Sequence, residues 1–398
     1  MKYIISALLI FCSCSHKVES EINYDKTDFI EITVDIKKVQ GLKMSDFFSN
    51  VSYFPLETPN NEPIGLIDKI MVQGGHIALY DKTKNSVWVY TKLGEYVNEV
   101  KIPYGRGPGE IEYLLDIYFD KDLNIHALGN FKFLVFDLNG KVKNEVLFDL
   151  FVNKFTYNSN RESYYSFAGG NQNTKLPKEI RGNNVFEFEV DGEIVNTYMP
   201  FEKNRNGTGY GVPNNFPRYK SDYYYFQHLY DTVYYFTDNN LNPAYYLNFG
   251  ENALTEEILD KSLVYRDWTE FWNKEVKTSD YIVYKTSFEI TDKYIHSSVR
   301  SSKEENYMIL YDRIRKVTHV GRSTFLNDLD YGPSPFIYLS SDESLYSYVE
   351  SNDFLHLMNR IFNEDREKYN SDKMSGLRKL ARGMTEVKNP ILMRLDFK

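Results

Sequence analysis

A four-run pattern occurs twice early in this chain, and no other feature limits the fold so tightly. Ile67-Asp68-Lys69-Ile70-Met71-Val72, Ile77 to Asp81, Val87-Trp88-Val89-Tyr90 and Leu93 to Val97 form the first copy. Leu115-Asp116-Ile117-Tyr118-Phe119, Ile125 to Leu128, Phe133-Leu134-Val135-Phe136 and Asn139 to Val142 form the second. Asp68 and Asp116 are 48 positions apart, Gly94 and Gly140 are 46. Turn residues divide the runs: Gly74-Gly75, Lys82 to Ser86, Leu93-Gly94 and Asn139-Gly140, the last pair tolerating positive φ in a tight hairpin. Four antiparallel strands recurring every 40–50 residues or so are the sign of a propeller blade.

Fainter units follow. Val185 to Val195, turning at Asp191-Gly192, reads as the outer hairpin of a third blade. Tyr223 to Phe226 with Thr232 to Phe236 reads as part of a fourth, and Tyr294 to Ser298 with Met308 to Tyr311 as part of a fifth. Segments 157–184 and 202–216, rich in Asn and Gly, read as long loops. Helices are expected over 255–275, with Thr255 as cap, over 352–369, where Phe354, Leu355, Met358, Ile361 and Phe362 share a face, and around 373–384. Both ends of the folded region alternate like strands: Ile30, Ile32, Val34 and Ile36 at one, Ile391, Met393, Leu395 and Phe397 at the other. The expectation is that 29–36 and 391–397 share a blade and close a ring, which removes open sheet edges.

Composition agrees with strands and excludes several chemistries. Aromatic residues are 16% of the chain, with 34 Tyr and 27 Phe, types enriched in β structure. The formal charge of −9 with no basic run argues against nucleic acid or anionic lipid surfaces as partners. The two cysteines are Cys12 and Cys14. They end a short N-terminal segment with Lys2 ahead of the apolar run Ile4 to Phe11, too short to span a bilayer. Ser13-Cys14-Ser15 then reads as a lipoprotein cleavage and acylation point. The expected organisation is a signal peptide over 1–13, a tether over 14–28 and one propeller domain over 29–398. The protein is expected as an outer-membrane lipoprotein, held to the membrane only by lipid on Cys14. Beyond that point no thiol remains for disulfides, thiolate metal sites or cysteine nucleophiles.

Several strings resemble a known family. They are Val51-Ser52-Tyr53-Phe54-Pro55-Leu56-Glu57-Thr58, Gly105-Arg106-Gly107-Pro108-Gly109-Glu110, Asp231-Thr232-Val233-Tyr234, Tyr245 to Gly250 and Lys388-Asn389-Pro390-Ile391-Leu392-Met393. Together they resemble the six-bladed β-propeller lipoproteins of Bacteroidetes. The resemblance implies an all-β, six-bladed, NHL-like propeller with short helical insertions and with the C-terminal helices outside the ring. It implies no catalytic residues.

Candidate site residues come from the loops. Gly105 to Glu110 joins two blades, placing Arg106 and Glu110 at the rim of the axial loop face, as ligand contacts or as a turn held by an Arg–Glu contact. No helix N-terminus follows to cradle a phosphate. Asp68, Asp116 and Asp328 are each expected to open an inner strand, deeper on that face, where they could meet a ligand or simply accept backbone N–H bonds. Asp120-Lys121-Asp122-Leu123-Asn124 starts like a calcium loop. Ile125 and Phe131 stand where such a loop needs Gly and Glu, so a hairpin turn is the better reading. The seven His residues show no zinc spacing, and no G-x-S-x-G elbow occurs. Trp268 and Trp272, four apart on an expected helix, could stack on sugars but fit core packing better. Asp231-Thr232-Val233 fits an O-glycosylation triplet or a plain inter-strand loop.

The function expected on these grounds is a non-enzymatic envelope module that binds or scaffolds a glycan, a peptide or an envelope protein, with no cofactor and no metal. The alternative is a lyase or hydrolase using acidic and Tyr residues on the axial loop face, since the fold supports both.

Overall fold

The computed structural model describes residues 29–205, 212–237, 240–341, 343–384 and 388–398. The expected signal peptide, the tether and Cys14 lie outside these residues. Strands β1 (Ile30–Thr33) and β2 (Phe48–Pro55), with the one-turn helix α1 (Met44–Phe47) between them, precede the first complete sheet. Sheet one holds β3 (Ile67–Gln73), β4 (His76–Asp81), β5 (Ser86–Thr91) and β6 (Tyr96–Lys101). Sheet two holds β7 (Asp116–Phe119), β8 (Ile125–Gly129), β9 (Lys132–Phe136) and β10 (Val142–Leu147). Sheet three follows with β11 (Lys154–Asn158), β12 (Ser163–Phe167), β13 (Asn183–Glu189) and β14 (Ile194–Pro200). Sheet four has β15 (Arg218–Tyr219), β16 (Asp222–Tyr225), β17 (Thr232–Phe236) and β18 (Leu241–Asn248). Sheet five has β19 (Ile282–Ile290), β20 (Tyr294–Ser301), β21 (Asn306–Asp312) and β22 (Val317–Arg322). Sheet six has β23 (Leu339–Ser340), β24 (Ser344–Val349) and β25 (Ile391–Phe397), and β2 pairs with β25 as its outer strand.

The chain is therefore mostly β, in small sheets whose neighbouring strands are antiparallel except for β1. Each sheet is apolar on both faces because it is packed on both. Ala78, Tyr80, Val87 and Val89 of sheet one meet Ile117, Ile125, Ala127 and Leu134 of sheet two. Similar clusters join two to three, three to four, four to five and five to six. A further cluster brings Tyr346 and Leu392 of sheet six against Ile70, Leu79 and Trp88 of sheet one. At about 1.5–3 kcal/mol for each fully buried large side chain, these shared seams hold the sheets together more than any hydrogen bond between them.

Three expectations change. Residues 29–36 do not share a sheet with 391–397. β1 pairs in parallel with β18, Ile30 opposite Tyr245 and Ile32 opposite Leu247, and becomes a fifth strand of sheet four. The partner of the C-terminal strand is β2, with Val51 opposite Leu395 and Tyr53 opposite Met393. Segment 157–184 is not one loop, since β12 lies inside it, its Tyr164, Tyr165 and Phe167 fully buried. The helix expected over 255–275 is broken into α2 (Glu256–Asp260), a 3-10 turn and α3 (Trp268–Phe271), which runs on as a wider turn to Val276. Thr255 does cap it, its hydroxyl accepting from the Ile258 amide at 3.4 Å. Trp268 and Trp272 pack at 6.4 Å from each other around Phe271, the packing reading of that pair.

The other helices, α4 (Ser351–Glu364), α5 (Arg366–Asn370) and α6 (Ser375–Arg382), fill the connection between β24 and β25. Phe354, Met358 and Ile361 pack with Met374, Leu377 and Ile391, against Tyr53 of the outer strand.

Candidate functional site

The first strands of all six sheets line one cavity of about 290 Å³. That is near the small end of the roughly 300–1,000 Å³ usual for small-molecule sites. Two ends can be told apart. At the loop end the first strands begin, after the long connections such as 102–115. At the turn end they finish in tight turns. Asp68 marks the loop end of the cavity, while Gly74, Gly75, Lys220 and Ser341 mark the turn end.

At the turn end, Arg218 of β15 contacts sheets one and two. Its Nε donates to the Lys220 carbonyl at 3.0 Å and its Nη1 to the Tyr118 hydroxyl of β7 at 3.4 Å. With the Gln73 amide turned to donate to the Val72 carbonyl, its oxygen accepts from the same Nη1 at 3.3 Å. Lys220 pairs with Asp292 at 3.3 Å. Tyr118 and Phe155 lie tilted to each other with ring centroids 6.3 Å apart, and Tyr338 also belongs to the lining.

A buried histidine stands one strand behind this end in two sheets. In sheet two, His126 is opposite Tyr118. Its Nε2 is 3.0 Å from Asp120 Oδ2, its Nδ1 is 3.0 Å from the Tyr164 hydroxyl, and Tyr157 stacks on its ring at 4.4 Å. Burial holds its pKa below the ordinary value even though Asp120 pulls the other way. In sheet five, His296 is opposite Glu289, a cavity residue, and burial pushes it down to about 4.

The loop end is a different construction. Lys69 Nζ meets Asp116 Oδ1 at 2.9 Å and the Ile117 carbonyl at 2.8 Å. Lys154 approaches the same carboxylate at 3.8 Å, and Asp116 Oδ2 accepts the Phe155 amide at 3.1 Å. One carboxylate, 3% exposed, thus binds the first strands of three consecutive sheets. Desolvation lowers the Lys69 pKa against the pull of Asp116.

The five expected site residues are not gathered in one place. Asp68 lines the cavity and pairs with Lys82 at 3.3 Å. Asp116 sits in the clasp, accepting a backbone amide. Arg106 forms a forked pair with Glu112, not Glu110, at 2.7 and 2.6 Å, its side chain 81% exposed. Glu110 accepts the Gly107 amide at 2.9 Å, and a Cβ on Gly105 would fall 2.0 Å from its carboxylate, so a larger residue there would displace the Glu110 side chain. Lys132 and Glu145 of sheet two brace the same loop through the Gly107 carbonyl and the Gly109 amide. Asp328 opens no strand, because β23 begins at Leu339. It holds α1 by accepting from the Ser45 amide at 2.9 Å and hydroxyl at 2.6 Å. The loops 82–86 and 102–110 do share an end, where the Ile102 amide meets the Asn85 carbonyl at 3.0 Å. Asp120 ties its hairpin turn by accepting from the Asp122 and Asn124 amides. Among the described residues, no group of three or more His, Cys, Asp or Glu is arranged to hold a metal, and no helix is long and apolar enough to cross a membrane. Arg218, on a two-residue strand after a long loop, is the residue sequence reasoning missed.

Solved structures show the same fold. A candidate exported protein from Bacteroides fragilis matches with a TM-score of 0.73 at 18% identity, covering 93% of this chain and 100% of its own. A member of the DUF4221 family from Bacteroides vulgatus matches with a TM-score of 0.50 at 11% identity, covering 88% of this chain and 97% of its own. No curated protein matches significantly. The family model described as domain of unknown function DUF4934 matches residues 27–396, so the chain belongs to that family.

Proposed function

We propose that the six sheets are the blades of a closed six-bladed propeller, anchored in the bacterial envelope by lipid on Cys14, that binds or scaffolds without catalysis. Its ligand is a small polar group, a sugar unit of a glycan or a short peptide segment, held in the axial cavity. One observation carries this reading: every blade contributes to a single cavity walled by aromatic rings and charged side chains. Such a site has the concavity and the few fixed polar groups that recognition of a small ligand needs. The likeness to a candidate exported protein supports the envelope location. Of the five loop residues expected at the site, Asp68 belongs to the cavity, and the proposal moves the recognition surface inward from Arg106, Glu110, Asp116 and Asp328.

Glycan and peptide arrays on the full chain, wild type and Gln73→Trp, test the reading. The bulky side chain should abolish capture and leave the melting temperature unchanged. Capture that survives Gln73→Trp would move the site elsewhere. Cys14→Ser should release the protein from membranes. The rival, a lyase or hydrolase, has one observation in its favour: Asp68, Glu289 and Tyr118 face the same cavity. Turnover of the captured ligand by wild type and not by Glu289→Gln would install it.

A further inference from the structure

Resting on the lipid-anchored part of that reading, we infer that the C-terminal helices carry a cationic face that docks on anionic phospholipid headgroups and so orients the ring on the membrane. The chain as a whole is acidic, at −9, and its net charge alone is repelled by such a surface. Residues 373–384 reverse the sign locally. They hold Lys373, Arg378, Lys379 and Arg382 and no Asp or Glu. The acidic residues of α4 and α5 come before this stretch. One acid between those helices, Asp365, is taken up in capping α5, accepting the Lys368 amide at 2.9 Å.

With Arg366 and Lys368 of α5, these make six cations that have no carboxylate partner among the described residues. Exposed cations elsewhere do pair, as Lys82 does with Asp68 and Arg106 with Glu112. Aromatic rings hold four of the six instead. Lys368 and Lys373 lie 4.7 and 4.9 Å from the centre of the Tyr331 ring. Arg366 lies 3.8 Å from that of Phe362, and Arg378 lies 5.8 Å from that of Tyr369. A ring occupies the face of a guanidinium and leaves its in-plane N–H donors open to an anion. Lys379 and Arg382 are exposed and, among the described residues, make no hydrogen bond with their side chains. Leu377, Leu380, Ala381 and Met384 pack α6 onto the protein, which leaves those two cations on its outer side.

Six cations spread along α5, α6 and the turn between them suit a surface of many anions better than one small ligand. The expected tether over 14–28 spans at most about 50 Å, so an anchored domain stays within reach of the bilayer. Each cation near an anionic surface favours the docked state about five-fold. Tethering raises the effective concentration, so a weak contact is still populated.

The mature lipoprotein on vesicles that carry a headgroup-bound quencher tests this. A fluorescent label on Ser375→Cys reports the exposed start of α6, and one on Ser221→Cys reports the turn end of sheet four. On vesicles of phosphatidylglycerol and phosphatidylcholine in equal parts, the α6 label should be the more quenched. Salt at about 1 M, which cuts the screening length to about 3 Å, should remove the difference. Lys379→Gln with Arg382→Gln should lower the docked-to-free ratio about thirty-fold, with thermal melts confirming the fold. Equal quenching on phosphatidylcholine alone, quenching unchanged in the double variant, or no quenching of the α6 label would each overturn the inference. Alginate bound by wild type and not by the double variant, without approach of α6 to anionic vesicles, would replace the membrane by a soluble polyanion. Flotation separates the two levels. Protein that does not float with phosphatidylcholine vesicles lacks the lipid anchor. If it still floats with anionic vesicles as wild type and not as the double variant, the docking face stands without the anchor. Flotation with neither overturns both.

Discussion

The two ends of the axial cavity both place a cation among first strands of several sheets, but in opposite ways. At the loop end Lys69 and Lys154 converge on the buried carboxylate of Asp116, and the three charges satisfy one another. At the turn end Arg218 rests on a carbonyl, a phenol and an amide through contacts of 3.0 to 3.4 Å. The first arrangement is closed and serves to hold sheets together. The second reaches sheets one and two through a phenol and an amide. The lesson is that an ionisable group near a ring axis is not thereby a ligand contact: the partner it already has decides.

The largest expected effect comes from breaking the closed end. Asp116→Ala leaves Lys69 and Lys154 facing each other in a desolvated seam. The cost should be about 3–5 kcal/mol, the range for removing one member of a buried ion group. Denaturant titration measures it. Tyr118→Phe at the other end, which removes one hydroxyl that accepts at 3.4 Å, should cost no more than about 1 kcal/mol, the net value of an ordinary hydrogen bond. If the two costs are similar, the contrast between the ends is wrong.

The next effect is a response to acid, expected at the turn end alone, since the clasp at the loop end contains no histidine. The folded pKa of His296 is about 4 against an ordinary 6.5, so the native state favours the neutral ring. The associated stability is full above pH 6.5 and is lost as the pH falls through the window from 6.5 toward 4. Between pH 7 and pH 5 the loss should be about 2 kcal/mol, at about 1.36 kcal/mol for each pH unit below 6.5. His126, also depressed by burial, acts in the same direction. The groups facing it are Asp120, Tyr164, Tyr157 and Tyr118, and Lys143 lowers it further. His296→Leu should flatten the pH dependence of the denaturation midpoint over that window. An unchanged slope would mean that the ring is hydrated in solution.

The smallest effect belongs to the rim. Arg106 and Glu112 form a well-aligned pair in open solvent, where screening and side-chain entropy cancel most of the attraction. Arg106→Ala should leave both the melting temperature and ligand capture unchanged. Lost capture would return the recognition surface to the loop rim.

These contrasts also explain what could be read in the residues beforehand. Sheets one and two were legible because their strands alternate cleanly and their turns carry Gly74-Gly75, Gly94 and Asn139-Gly140. Sheet six was half legible. The alternation in 391–397 marks a strand, but alternation does not name a partner. Residues 30–33 and 48–55 both fit as neighbours, and the choice rests on packing that is distant in sequence, such as Phe48 against Phe397 at 4.9 Å. The strand β12 was hidden because Ser163-Tyr164-Tyr165-Ser166-Phe167 sits among loop-forming residues and is buried on both faces. At the site, Asp68 and Asp116 look alike in their repeats. What separates them is a neighbour in the next sheet, Lys154 beside Asp116, that no local pattern shows. Arg218 had no signal at all, since a two-residue strand carries no period.

The parallel pairing of β1 with β18 has a mechanical consequence. Any pull on the chain from its N-terminal side reaches β1 before it reaches β2, the strand that completes sheet six. Four residues bonded along the edge of sheet four thus stand in series ahead of the β2–β25 seam of sheet six. They would detach as a unit, with Ile32 leaving its apolar site, and lengthen the lead while the six sheets stay joined. The short strand is placed to act as a strain relief: a tug on the N-terminal side is met first by four residues of pairing, and the seams between sheets bear load only after these part.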